Sequence, residues 1–242
     1  MRISLYDGRD FALPVRILLP VLLLLVTAGF SPSGFAHGVT EGDALFIEQT
    51  SGIQLLPFIY LGAKHMVTGY DHLLFLLGVI FFLYRMREVG IYVTLFAVGH
   101  SVTLLFGVLS EIHVNPYIVD AIIGLSVVYK ALDNLGAFKR WLGFQPNTKA
   151  AVLIFGFFHG FGLATKLQDF TLSEDGLVAN ILAFNLGVEM GQLLALGGIL
   201  IIMNFWRRSR AFSYQAFAAN VVLMAAGFLL IGYQMTGYLI AA

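Results

Sequence analysis

The stretch "GAKHMVTGYDHLLFLLG", residues 62–78, places polar side chains that can bind metal directly before an apolar run. His65, Asp71 and His72 lead into leucine and phenylalanine, a sequence typical of a helix that enters a lipid bilayer. Ionisable groups within membrane helices are costly to bury, so their presence favours a functional role. Gly69 lies between the two histidines, and we expect a helix break there that folds His65 back over Asp71 and His72.

The composition is that of an integral membrane protein. Of the 242 residues, 59% are hydrophobic and 12% are charged, and the mean hydropathy is +0.85. Soluble domains are about 45–50% apolar and about 25% charged. The net charge is zero, and no basic patch indicates nucleic-acid binding. Because the chain has no cysteine, disulfides and thiolate chemistry are excluded, and a metal ion would need nitrogen or oxygen ligands.

The first residues have the pattern of a secretory signal peptide. Three arginines precede an apolar run, and "SPSGFAHG" then supplies a small-x-small cleavage site. This pattern predicts that residues 1–36 are removed and that 37–242 form one transmembrane helical domain. His37 would become the first residue, which either merely follows the cleavage site or chelates a metal through its amine and imidazole together. An uncleaved signal anchor is the alternative.

The remaining chain predicts an all-α bundle of six membrane-spanning helices and one short helix. Residues 53–66 are apolar but shorter than the about 20 residues that cross a bilayer, so we expect an interfacial or re-entrant helix there. The six spanning helices are predicted over 70–86, 89–109, 116–134, 149–166, 177–205 and 213–240.

Basic residues lie in alternate connections between these predicted helices. They are Arg85, Arg87, Lys139, Arg140, Lys149, Arg207, Arg208 and Arg210. By the positive-inside rule these connections are cytoplasmic. We therefore expect a bacterial inner-membrane protein with both termini in the periplasm, and its partners include the lipid bilayer.

The strong ligand candidates inside the predicted spans all fall in the outer half of the hydrocarbon core. At 1.5 Å per residue, they lie from near zero to roughly 18 Å below the outer surface. Asn185 precedes the acid of the fifth span by one turn on the same face. Glycines that let helices approach closely flank several of these residues. The predicted metal ligands are His65, Asp71, His72, His100, His159 and Glu189.

Imidazole and carboxylate ligands suit zinc, nickel, cobalt, iron and copper(II). Six candidate donors exceed the need of one tetrahedral ion. A six-coordinate ion, two ions, or one ion with additional hydrogen-bonded residues all remain open. Asp71 suits the last role, because a carboxylate can orient a ligand imidazole through its second nitrogen.

The segment "HMVTGYDHLLFLL" resembles the HupE/UreJ family of bacterial membrane proteins. The hallmark of that family is His-Pro-x-x-Gly-x-Asp-His before an apolar helix. His65, Gly69, Asp71 and His72 match it, and Met66 replaces the proline. The "GHS" and "FHG" elements and the length of six spans are also similar. The resemblance implies a nickel or cobalt permease in which His65, Asp71 and His72 bind the metal.

Three functions remain open from the residues. The leading one is uptake of a divalent transition-metal ion through the histidines. The second is an intramembrane zinc-dependent hydrolase acting on lipid or peptide, with Ser101 beside His100 and Glu189 as general base. The third is a protein that binds metal without translocating it.

Overall fold

The computed structural model describes residues 46–47, 49–168 and 175–241, and all their side chains except those of Tyr70 and Asp71. The predicted signal peptide and His37 lie outside these residues. Within them the fold is all-α, as predicted. The eight helices are α1 Leu55–Thr68, α2 Tyr70–Ile80, α3 Met86–Leu109, α4 Pro116–Asn134, α5 Ala137–Leu142, α6 Thr148–Gln168, α7 Leu177–Trp206 and α8 Phe212–Ala241.

Four of these helices, α3, α6, α7 and α8, are long and apolar enough to cross a membrane. Their ends lie within three residues of the predicted bounds. Helix α4 has the predicted bounds, but it carries three charged residues, Asp120, Lys130 and Asp133, and so is more polar than a lipid-facing helix. Each of the three is in an ion pair, which offsets the free energy needed to bury it.

Helices α1 and α2 together run lengthwise along α7. Contacts join Gln54 to Asn180, Ile59 to Gly187, Ala63 to Gly191, Phe81 to Trp206 and Ile80 to Arg207. The sequence separation within these pairs stays between 125 and 128 residues. The two short helices are therefore parallel to α7 from its first turn to its end.

This arrangement corrects the prediction for residues 70–86. Helix α2 has 11 residues and is only about 16 Å long, so 70–86 does not form a separate span. Helix α1, predicted over 53–66 as an interfacial or re-entrant helix, is a short helix over Leu55–Thr68 that packs against α7. Small residues allow this packing: a Cβ added at Gly62 would lie 2.0 Å from the carbonyl oxygen of Phe184.

The predicted break at Gly69 is confirmed. The Gly69 N–H still donates to the carbonyl oxygen of His65, at 3.1 Å, but its ψ of 109° turns the chain out of the helix. Val67 and Thr68 precede it, and β-branched residues and glycine have low helix propensities. Three successive weak helix formers therefore end α1 at this point.

Helices α3 and α6 approach each other through glycines, as the sequence predicted. A Cβ added at Gly156 would lie 2.6 Å from the carbonyl oxygen of Phe96. One added at Gly160 would lie 2.3 Å from the carbonyl oxygen of His100. This backbone contact sets His100 and His159 on adjoining helices.

Candidate metal-binding site

The helix break brings two of the predicted ligands together. His65 is in the last turn of α1, and His72 is in the first turn of α2. On a continuous helix, seven residues would separate them by about 10.5 Å along the axis. Their ring centroids are 5.0 Å apart with an interplanar angle of 75°. The break thus folds His65 toward His72, as expected from Gly69.

A third histidine joins this pair from α6. The rings of His72 and His159 are also 5.0 Å apart, with an interplanar angle of 62°. Both side chains are almost completely buried, with exposed fractions of 2% and 3%. His159 lies near the middle of α6, so His72 lies at mid-height in the bundle. This position corrects the depth predicted for His72, which was the outer end of a span.

His100 lies beside this group on α3 and is 1% exposed. Phe96 packs against both His100 and His159, with ring centroids 6.1 Å and 4.8 Å away. The His100 backbone also meets α6 directly, since a Cβ added at Gly160, next to His159, would lie 2.3 Å from the His100 carbonyl oxygen. Four of the six predicted ligands, contributed by four helices, therefore form one cluster, in which His72, His100 and His159 are buried and His65 is half-buried. We call His65, His72, His100 and His159 the histidine cluster.

Hydrogen bonds determine which ring nitrogen carries the lone pair in two of these histidines. The Nδ1 of His100 lies 3.1 Å from Oδ1 of Asn185, and Nδ1 of His159 lies 2.8 Å from the carbonyl oxygen of Phe155. Both partners are acceptors, so Nδ1 is the donor in each neutral ring. The lone pair is then on Nε2, the nitrogen that would coordinate a cation.

The spacing of the rings fits shared coordination of one ion. With metal–nitrogen bonds of about 2.0–2.1 Å, two imidazoles at a tetrahedral angle place their centroids about 5 Å apart. The pairs His65–His72 and His72–His159 both have this separation. Among the side chains that the structure describes, no three histidine or acidic groups converge on one point. The described side chains therefore do not form a complete metal site in this conformation, and metal binding by the histidine cluster stays a prediction.

The two predicted acidic ligands are placed differently. Asp71 lies in the first turn of α2, but the structure does not describe its side chain. Glu189 is half-buried on α7, next to positions that face outward, such as Leu186 and Met190. It makes no hydrogen bond or ion pair to another described residue. Its role as a ligand stays a prediction.

Sequence reasoning missed the role of Asn185. It was noted only as a neighbour of Glu189, whereas the structure makes its side chain the hydrogen-bond partner of His100. Its own Nδ2 is buried without a partner among the described residues. A buried amide one turn before an acid does not indicate in the sequence which residue it bonds to, because His100 on α3 is 85 residues away.

An aromatic layer lies on one side of the histidine cluster. Phe75 is one turn after His72 on α2 and is 1% exposed. Its ring centroid is 5.9 Å from those of both Phe96 and Phe155 and 6.1 Å from that of His159. We call Phe75, Phe96 and Phe155 the aromatic layer. Three packed rings separate the histidine cluster from the far end of α2.

The far end of α2 is held by an arginine that follows α7. The Nη2 of Arg207 donates to the carbonyl oxygens of Ile80 and Phe81, at 2.6 Å and 2.9 Å. The Ile80 oxygen also accepts from the Leu83 N–H at 2.7 Å, and a cation near carbonyl oxygens at a helix C-terminus is favourable. Burial lowers the pKa of the Arg207 guanidinium and the neighbouring Tyr84 opposes this, but arginine remains charged.

Comparison with known proteins gives one match. No curated protein and no solved structure matches the chain. The HupE / UreJ protein family matches residues 41–242. That range contains every described helix and all four members of the histidine cluster. The chain belongs to the HupE/UreJ family of membrane proteins.

Proposed function

We propose that this protein is an uptake permease for a divalent transition-metal ion of the nickel or cobalt type. The observation that carries the proposal is the histidine cluster, which lies at the break of a helix inside an apolar bundle. Discontinuous helices of this kind form the substrate sites of many transporters, near the middle of the membrane. Nickel and cobalt are inferred from the family, which is generally linked to their transport.

The proposed topology has six spans. Helices α1 and α2 act as one broken span, because together they accompany α7 along its length. The other five spans are α3, α4, α6, α7 and α8. The basic residues put the connections α2–α3, α4–α6 and α7–α8 in the cytoplasm and both termini in the periplasm of a bacterial inner membrane.

The ion is the substrate in this proposal. His65 and His72 meet it first, because they lie at the break, and Asp71 is placed beside them in the sequence. His159 and His100 offer Nε2 from the two neighbouring helices. Asn185 keeps the His100 ring in its orientation, and such orienting partners increase metal affinity.

Purified protein in liposomes tests the function. With Co²⁺ outside and a fluorescent chelator inside, the native protein is expected to transport the ion, and His72→Ala and His159→Ala to lose transport and binding. His113→Ala is the matched control, because His113 is exposed and, among the described residues, its ring bonds only to the carbonyl oxygen of Glu111. It is expected to keep native rates.

Two results would contradict the proposed function and favour another one. Tight binding of Co²⁺ without transport under any gradient would indicate a metal-binding protein that does not translocate. Stoichiometric zinc with a water ligand, together with turnover of a lipid or peptide, would indicate a hydrolase.

A further inference from the structure

A second buried polar group lies beyond the aromatic layer, near the end of α4. The Nζ of Lys130 is 2.5 Å from Oδ2 of Asp133, and their side chains are 9% and 5% exposed. Asp133 also accepts hydrogen bonds from Gln145 and, at 3.2 Å, from Thr148. One carboxylate is thus surrounded by an ammonium, an amide and a hydroxyl.

This arrangement resembles an occupied cation site. Removing one partner of a buried ion pair is strongly destabilising, whereas apolar replacement of both is often neutral. Apolar side chains at both positions would therefore pack the bundle as well as the ion pair does. What the pair provides is a buried carboxylate, with a cation held against it by a flexible four-carbon stem.

The pair is connected to the histidine cluster through α2. Gly78 follows His72 by six residues, about 9 Å along the helix. A Cβ added at Gly78 would lie 3.1 Å from Cγ of Lys130, so the lysine stem rests directly on α2. The neighbouring Asn134 donates to the carbonyl oxygen of Gly78 at 2.9 Å. A movement of the broken helix would therefore shift Lys130.

We propose that Asp133 is a second cation site on the transport path, and that the ammonium of Lys130 occupies it in this conformation. The proposal rests on the proposed function. An ion that passes the aromatic layer displaces the ammonium from Asp133 and then leaves toward the loop before α6. Oxygen ligands alone bind nickel and cobalt less strongly than imidazoles do, as release requires.

Titration of the purified full-length protein with Co²⁺ tests this site. Lys130→Gln removes the tethered cation and is expected to bind one more ion per chain than the native protein. Lys130→Gln/Asp133→Asn is expected to return to the native number, and Lys130→Arg to keep it. The matched control is Lys166→Gln, which breaks the other α4 pair, Lys166 to Asp120 at 3.0 Å. It should leave the number unchanged.

An unchanged number of bound ions in Lys130→Gln, or an additional ion that still binds without Asp133, overturns the proposal.

A variant with an intact lysine gives an independent measurement if Lys130→Gln does not fold. Asp133→Asn is expected to slow Co²⁺ transport at least tenfold while binding at the histidine cluster is retained. Native transport in that variant would also contradict the second site. A native protein that neither binds nor transports Co²⁺ would refute the proposed function instead. A bound ion gained in Lys130→Gln would in that case still identify a cation site at Asp133.

Discussion

The Nδ1 of His100 on α3 donates a hydrogen bond to Oδ1 of Asn185 on α7, at 3.1 Å. Both side chains are buried, with exposed fractions of 1% and 7%. The bond therefore holds the imidazole in one tautomer and one orientation, with Nε2 as the acceptor nitrogen.

Replacing Asn185 by leucine should weaken metal binding without removing a ligand. Loss of the acceptor frees the His100 ring to rotate and change tautomer, and such losses cost 10–100-fold in affinity. We expect the Kd for Co²⁺ to rise about 10–100-fold, measured by titration. Asn204→Leu is the control, because Asn204 is exposed and bonds to Arg207. Equal affinities in the two variants would contradict the orienting role.

The contact between α1 and α7 should be sensitive to a single methyl group. A Cβ at Gly187 would lie 2.0 Å from the carbonyl oxygen of Ile59, so Gly187→Ala forces the two helices apart. We expect destabilisation of about 1–3 kcal/mol, since overpacking of this kind has that effect. Thermal unfolding in detergent measures it.

Gly197→Ala on the same helix is the matched control. A Cβ at Gly197 meets no atom within 4 Å. Alanine is the better helix former, so this variant should be as stable as the native protein or slightly more stable. A fall in stability equal to that of Gly187→Ala would show that the Gly187 effect does not come from the α1–α7 contact.

Loss of Arg207 should loosen the end of α2. Arg207→Gln removes the donor to the carbonyl oxygens of Ile80 and Phe81. Bonds to a charged donor contribute about 1.5–3 kcal/mol, so amide hydrogen exchange over 78–84 should become about tenfold faster or more. Arg208→Gln should leave that exchange unchanged, because Arg208 is exposed and lies only near the Phe205 ring.

The aromatic layer should contribute strongly to stability. Phe75→Ala leaves a cavity at a side chain that is 1% exposed, and such changes cost about 3–5 kcal/mol. Phe228→Ala, at a position that is 56% exposed, should lower stability by less than about 1 kcal/mol. Chemical denaturation of both variants measures the difference. If the two losses were similar, Phe75 would not be part of a packed layer.

The helix bounds could be predicted because they depend on local sequence. Apolar runs of sufficient length gave α3, α6, α7 and α8, and Gly69 gave the break between α1 and α2. The glycines around His100 and His159 also predicted that their helices approach closely. These features need only periodicity, length and residue size.

The pairing between distant helices could not be predicted in this way. Nothing in residues 53–66 specifies α7 as their partner, and nothing in residues 70–86 indicates that His72 lies beside His159 of α6. Asp133 was overlooked for a similar reason. It lies near the end of α4, where an acid is ordinary, and its partners Gln145 and Thr148 belong to the connection to α6 and its first turn.

The pairing of α1 and α2 with α7 also orders events during synthesis. Their partner follows them by about 126 residues, which at about 5–20 residues per second delays its appearance by roughly 6–25 s. During that interval the nascent chain holds two short helices, neither of which can cross a bilayer alone. The histidine cluster is therefore completed late in biogenesis, after α6 and α7 have left the ribosome. A chain truncated before α7 would keep α3 and α6 and all four histidines of the cluster, and still lack the partner that holds the broken helix in place.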